Sequence, residues 1–471
     1  MRSNDRSRPS VPPGTPRPSG SPGLATGLTT SLAAALALLA GCAVPQAQRP
    51  PEPADLPAQW STPAADAMPG WAAPLDPALA DLQARALQAN RDIRLAMLRW
   101  RAAQDQLRLA ELARAPQPSA GLNASTSLAM NAPLPAWRGQ QGASASLAYE
   151  PDLWGRLAAS VAASQAQADA AQRDIAVARL LIRSQVAEAW WQLGANRMQR
   201  ALVGPQREAA VAVLEATRAR VREGRLAPIE IDRAASTVQQ QDLRLAQLNA
   251  DDAQAAQTLA LLLDQPVLRL GAEPALPEGA PALPPLADPA RVLERRPDVQ
   301  RARLGVDAAL ARLQVSQAAR YPALSFSTSL ATGGSAALDW LRNPVVSLAG
   351  NLVVPLVDWQ RLDLQRESAR TELEVAALQL RDSVQRALAE VERLLTERRR
   401  LEQAWLAQQA RLQEARQAEQ QAQARVQAGA LAPADALQAR GARLAAEQDA
   451  IGLRLQQWLN HAALHRALAT D

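Results

Sequence analysis

The chain has 471 residues, 51 basic and 46 acidic side chains, a net charge of +5 and an aromatic content of only 3%. A single cysteine, Cys42, excludes a disulfide framework. The charges alternate in sign, no lysine occurs and few aromatics are available to stack on bases, so they read as solvated helix faces and exclude a nucleic-acid partner.

At the N-terminus, Arg2, Arg6, Arg8 and Arg17 precede an apolar stretch from Leu24 to Leu39 that ends in Leu39-Ala40-Gly41-Cys42. Basic, then apolar, then small residues is the layout of a secretory signal. The four-residue ending resembles a bacterial lipobox. That resemblance implies cleavage before Cys42 and acylation of its thiol and new amino end. Residues 1–41 are therefore expected to be a lipoprotein signal peptide and 42–78 a Pro-rich linker. No run of 18 or more apolar residues follows Cys42, so no membrane-crossing helix is expected. Short alternating strands leave a β-type span open.

A helical segment is predicted from Leu79 to Ala113, broken by Pro116 and Pro118. Strand periodicity follows. In Ser119–Met130, Leu122, Ala124, Thr126, Leu128 and Met130 share one face, and Asn123, Ser125 and Ser127 the other. Residues 141–149 alternate likewise. An apolar face opposite a hydroxylic one suits a lipid-out, water-in barrel wall; a half-buried hairpin of a soluble domain would show the same alternation. From Gly155 to Glu223 the pattern is helical for 69 residues, roughly 100 Å. Such a helix must pack lengthwise against similar neighbours. Gly204-Pro205 predicts a break or bend within it.

Gly224 and Pro228 bracket the next feature. Glycine is preferred just past a helix end and proline at the start of the next helix, so Gly224–Pro228 predicts a tight hairpin tip. Leu226 is expected to be exposed there. An exposed tip leucine points to docking; a turn leucine folded back on its own helices is the alternative. A second helix completes this half at about residue 265, and a Pro-rich linker spans 266–289.

The chain is then written again. ARVREGRLAP at Ala219–Pro228 returns as ARVQAGALAP at Ala424–Pro433, with the same offset of 205 that carries Trp154 to Trp359 and Arg156 to Arg361. This is a duplication at domain scale, with repeats at 79–265 and 290–467. The second repeat predicts a helix over Asp298–Ala319, strands at 322–330 and 345–354, a long helix, and a tip at Gly429, Leu431 and Pro433. Each repeat thus runs helix, two strands, long helical hairpin, an α+β arrangement. No phosphate loop, nucleophile elbow or catalytic carboxylate pair is found, so neither enzyme chemistry nor a cofactor is expected. His461 and His465 have the i, i+4 spacing of a zinc pair but no third ligand. An exposed terminal helix is the expected setting for them.

Several segments resemble the TolC-type outer-membrane efflux factors, in the NodT-like lipoprotein branch of the drug-efflux proteins. They are Asn90-Arg91-Asp92-Ile93-Arg94, Tyr149-Glu150-Pro151-Asp152-Leu153-Trp154-Gly155-Arg156-Leu157, Arg295-Arg296-Pro297-Asp298-Val299 and Tyr321-Pro322. The resemblance implies a lipid-anchored homotrimer in the outer membrane. Its twelve-stranded β-barrel would receive four strands per protomer, and its helices would form an α-barrel projecting into the periplasm. It implies a passive exit duct fed by a periplasmic adaptor and an inner-membrane pump, of RND type, which selects the substrate. It puts the adaptor at the two tips and, position by position, an aperture aspartate at Asp435. A type I protein-secretion exit and a non-channel periplasmic coiled-coil lipoprotein are the alternatives. The chain departs from the family at Asp358-Trp359-Gln360-Arg361, where two glycines are usual, and at Ala227 and Ala432, where serine is common.

Overall fold

The computed structural model describes residues 48–51, 56–61, 76–128, 137–282, 286–334, 344–355 and 357–469. Cys42, the leader 1–41 and Met130 lie outside them. Two helices open the first repeat, α1 (Pro77–Ala89) and α2 (Arg91–Leu112). The single segment expected here is divided at Asn90, whose extended backbone ends α1 and whose side-chain oxygen accepts from Asp92 N and Ile93 N. Asparagine is among the preferred helix caps for this reason.

Strands β1 (Gln117–Leu128) and β2 (Trp137–Tyr149) follow, then α3 (Arg156–Arg222) and α4 (Ile229–Leu262). After the linker come α5 (Pro289–Arg295), α6 (Pro297–Ala318), β3 (Ala323–Gly334), β4 (Pro344–Val353), α7 (Trp359–Gln427) and α8 (Pro433–Leu468). The two halves match element for element. Helices α2 and α6 have 22 residues each, α3 and α7 have 67 and 69, and α4 and α8 have 34 and 36.

Of the break or bend expected at Pro205, the break does not occur: helix α3 runs without interruption through it. Proline removes one backbone hydrogen bond, but Val203, Gln206, Ala209 and Ala210 around it are buried. Packing along the whole length holds the helix where propensity alone would end it. The two-residue difference between α3 and α7 also has a local cause. Gly155 takes the left-handed conformation (φ 74°) before α3, whereas α7 starts directly at Trp359. With Gln360 at the position equivalent to Gly155, the chain enters the helix two residues earlier.

Helix α3 packs against α2 and α4, and also against α6 and α8; α7 packs beyond α6 and α8. The shorter helices join end to end. Asn90 Nδ2 donates to Leu262 O at the end of α4 (3.1 Å), and Arg91 pairs with Asp264. In the second half Arg296 Nη1 donates to Ala467 O at the end of α8 (2.9 Å). Each repeat therefore supplies one long helix and one composite column, and the helical layer runs α2/α4, α3, α6/α8, α7.

The largest buried cluster among the described residues lies where α1 and the linker pack on this layer, and two smaller ones lie between α6 and α7 and where α7 meets the end of α8. Trp190, Trp191, Val186 and Leu259 are fully buried in the largest, and Trp190 Nε1 donates to Asp76 Oδ2 at 2.9 Å. Gly194 admits the linker, since a Cβ on it would lie 2.5 Å from Leu276 N. Burying each large apolar side chain contributes about 1.5–3 kcal/mol.

The four strands form one antiparallel sheet in the order β1-β2-β3-β4. Its outer strands, β1 and β4, pair on one side only.

Candidate functional site

Strand register decides what each sheet face presents. Ser119, Ser146, Ser329 and Ser347 stand opposite one another across all four strands. Ser119 and Ser146 share a hydrogen bond of 2.7 Å. The neighbouring rung, Pro118, Leu147, Thr328 and Leu348, points the other way, as does Ala120, Ala145, Leu330 and Val346. The alternation expected for single strands is thus kept in register through the whole sheet, giving one hydroxylic face and one largely apolar face. In a single chain neither is covered: Leu122 is 86% exposed and Leu348 85%.

The helical layer shows the same incompleteness at the same edges. Large exposed apolar side chains gather on α2 (Leu95, Leu98, Leu109), α4 (Leu243, Leu261) and α7 (Leu364, Leu378, Leu406). Helices α6 and α8, which have neighbours on both sides, expose none among the described residues. One edge of the protomer is thus β1 with α2 and α4, and the other is β4 with α7.

A collar joins sheet to helices. Asp152 accepts from Leu157 N (3.1 Å) and Ala158 N (2.7 Å), capping α3, and Arg156 pairs with Glu150 at 2.8 Å. Trp154 Nε1 donates to Pro322 O at 2.7 Å, and its ring stacks on Tyr321 with centroids 4.9 Å apart. Arg320 lies 4.3 Å above the Trp359 ring and pairs with Asp363. Segments about 170 residues apart in sequence, both quoted above as motifs, meet here.

At the other end of the long helices both tips form as expected. Gly224 and Gly429 have φ of 72° and 71°. Arg225 N donates to Arg220 O and Ala430 N to Arg425 O, each at 2.9 Å, while the glycine N–H groups reach Val221 O and Val426 O at 3.0 Å. This paired pattern satisfies the last carbonyls of a helix. Pro433 opens α8, whereas Pro228 sits one position before α4. Neither α4 nor α8 has a side-chain cap, as Ala227 and Ala432 imply. Leu226 and Leu431 are half-buried rather than exposed. The left-handed glycine bends the chain back over the helix end and takes part of each leucine out of water. Ile229, which the sequence reading passed over, is the exposed apolar residue at the first tip.

Asp435 lies half-buried in the first turn of α8, its N–H donating to Ala432 O at 3.0 Å. It makes no ion pair among the described residues, whereas its counterpart in the first repeat, Glu230, pairs with Arg233 at 2.8 Å. A cleft of about 550 Å³ lies beside the tips between α3, α4 and α8, with Thr217, Arg233, Thr237 and Gln438 in its walls.

The histidines correct the sequence reading. His461 and His465 are buried, not exposed, with ring centroids 4.5 Å apart. The final helix is covered because the linker returns across it: Trp458 Nε1 donates to Gly279 O, and Arg398 Nη2 to Pro281 O. Burial lowers the pKa of His461 to about 3, helped by the nearby charges of His465 and Arg398, and that of His465 to about 4. No group of three His, Cys, Asp or Glu side chains among the described residues could hold a metal. No described helix is long and apolar enough to cross a membrane.

Sequence reasoning also missed the part played by Arg296. It is buried, bonds Asp298 and Glu390 at 2.8 and 3.0 Å and caps α8. Burial opposes its charge, but the two carboxylates outweigh that and hold its pKa above the ordinary value. The Arg-Arg-Pro-Asp run signalled the position; only the fold shows that α8 ends there.

The model of the family described as outer membrane efflux protein matches residues 82–265 and 289–470. The chain belongs to the outer membrane efflux protein family. It is 30% identical to the pyoverdine export outer membrane protein OpmQ of Pseudomonas aeruginosa, over 88% of this chain and 90% of that one. It is 25% identical to the probable outer membrane lipoprotein SilC of Salmonella typhimurium, over 92% and 96%. The open state of the Neisseria gonorrhoeae MtrE outer membrane channel superposes with a TM-score of 0.78 at 22% identity, covering 91% of this chain and 98% of that one. The chain is an outer-membrane efflux protein with the fold of such channels.

Proposed function

We propose that three copies close edge to edge into the exit duct of a tripartite efflux pump. The observation that carries this reading is the coincidence of two unfinished edges. An open four-stranded sheet cannot close on itself, since small barrels need about eight strands, and its free edges are templates for pairing. The same two edges carry the exposed leucines of the helical layer. A contact between unlike edges closes into a ring when the rotation allows. Three copies give twelve strands, and the serine rung becomes a hydroxyl-lined level of a water-filled lumen, with Leu348 and Val346 towards lipid.

Within that duct, Cys42 is the lipidated first residue after removal of 1–41, and 42–78 tethers the anchor to the repeats at 79–265 and 290–467. Adaptor hairpins dock at Gly224–Pro228 and Gly429–Pro433, with the cleft beside the tips as their seat and Ile229 as an apolar contact. An inner-membrane transporter of RND type supplies substrate. Asp435 contributes a carboxylate from each copy to the periplasmic aperture. Its lack of an ion-pair partner supports this, because an unpaired charge stays available to passing ions.

Planar-bilayer recording tests the duct. Stable conductance from purified protein is the expected result. A protein that binds bilayers through its lipid anchor without conducting would instead be a tether.

A further inference from the structure

We propose that the cleft framed by α1, α2, α3 and the start of α6 is a docking site for an acidic peptide segment of another protein. The cleft has a volume of about 1080 Å³. Arg101 enters it from α2, Arg173, Arg179 and Arg183 from α3, and Arg295 from the end of α5; no Asp or Glu lines it. None of the five makes an ion pair among the described residues, while Arg85, Arg200, Arg207 and Arg301 on the same helices or their neighbours each face a carboxylate. A second cleft, between α3, α6 and α7, mixes Asp174, Glu372 and Asp382 with Arg301, Arg312 and Arg386. The first cleft, unlike the second, therefore concentrates one sign of charge.

The two clefts use opposite sides of α3. At about 100° per residue, Arg179 and Arg183 stand roughly a third to half a turn from Gln167 and Asp174. The basic cleft lies on the side that carries α1.

Five guanidinium groups in one concavity repel one another and focus a field that gathers anions. Arg173 to Arg183 spans about 15 Å along α3, the reach of four or five residues of extended chain. The guanidinium fork matches a carboxylate through two parallel hydrogen bonds. Met97, Trp100 and Leu180 share the walls, which favours a ligand bearing carboxylates and apolar side chains together. An acidic peptide has both; inorganic phosphate and a bare anionic glycan do not.

The test uses the full-length protein purified from membranes in detergent. Fluorescence anisotropy follows a fluorescein-labelled Glu-Leu-Glu-Glu-Leu-Glu peptide, with its Gln-for-Glu analogue, pyrophosphate and peptidoglycan fragments as competitors. The acidic peptide is expected to bind saturably and to weaken with added salt. R179A/R183A should weaken it about tenfold or more, W100A should also weaken it, and R220A/R222A, near the tip and away from the cleft, should leave it unchanged. Oligomeric state and conductance of R179A/R183A should match the parent, which keeps this result separate from duct function. The proposal is overturned by absence of saturable binding, by equal loss in R220A/R222A, or by tighter competition from pyrophosphate or peptidoglycan fragments. Failure of R179A/R183A to assemble would equally overturn it, because the occupant would then be a second copy of this chain.

Discussion

At the scale of single residues, the charges that matter are those whose surroundings remove the usual compensation. His461 and His465 hold no proton in the folded protein until the pH nears their lowered pKa values of about 3 and about 4, whereas the unfolded chain takes up protons near 6.5. A depressed folded pKa gives stability that is full above the unfolded value and is lost as pH falls. Each histidine should therefore cost up to about 1.4 kcal/mol per pH unit below 6.5. Chemical unfolding measured from pH 7 to 4.5 should show a falling midpoint in the parent and a flatter one in H461Q/H465Q. The carboxylates act lower: Asp298, whose pKa burial raises but Arg296 more than restores downward, loses its contribution only below the ordinary carboxylate range. Asp435 makes a separate residue-scale claim. D435A should weaken block by multivalent cations and shift cation selectivity in single-channel records, with the open conductance little changed. Unaltered selectivity and block would remove Asp435 from the aperture.

At the scale of elements, much was legible and the reasons for the rest are specific. Strand alternation and the glycine-proline tips follow from local rules of backbone geometry and reappear at the residues where those rules apply, and the 205-residue repeat, read from matching residues, reappears as two halves with the same order of elements. Pro205 does not break α3, because the buried residues around it pack laterally beside α4 and α8 and that packing overrides local propensity. The tip leucines misled because exposure depends on how the chain turns after the glycine, which composition does not reveal. The collar at Trp154 and Tyr321 and the clamp at Arg296 needed contacts across roughly 90 to 170 residues. Their motifs were visible, but their partners were not. Two measurements address this scale. L330R, on the apolar face of an interior strand, should destabilise membrane insertion by about 2–4 kcal/mol near the bilayer centre. S329R, one residue away on the hydroxylic face, should be far better tolerated; urea titration of protein folded into vesicles distinguishes them, and equal effects would reject the face assignment. G224P and G429P each force φ negative where about +70° is observed. Together they should abolish efflux and crosslinking to the adaptor while leaving assembly intact, and normal crosslinking would remove the tips as the docking site.

At the scale of the whole molecule, the account rests on edges that a single chain leaves unfinished. Sheet and helical layer end at the same two places, so one contact, repeated, would satisfy backbone pairing and apolar burial together. The chain's single cysteine is Cys42, which acylation would block, so new thiols on the edges report cleanly. The most direct measurement is thiol crosslinking of L122C/L348C in outer membranes with a short bis-maleimide, read by denaturing electrophoresis. Closure as a ring of three predicts bands of two and three linked chains, with the ladder stopping at three and neither single variant giving more than a trace. A ladder that stops at two, or one that continues past three, would contradict the central claim, as would chains that stay single despite full thiol labelling.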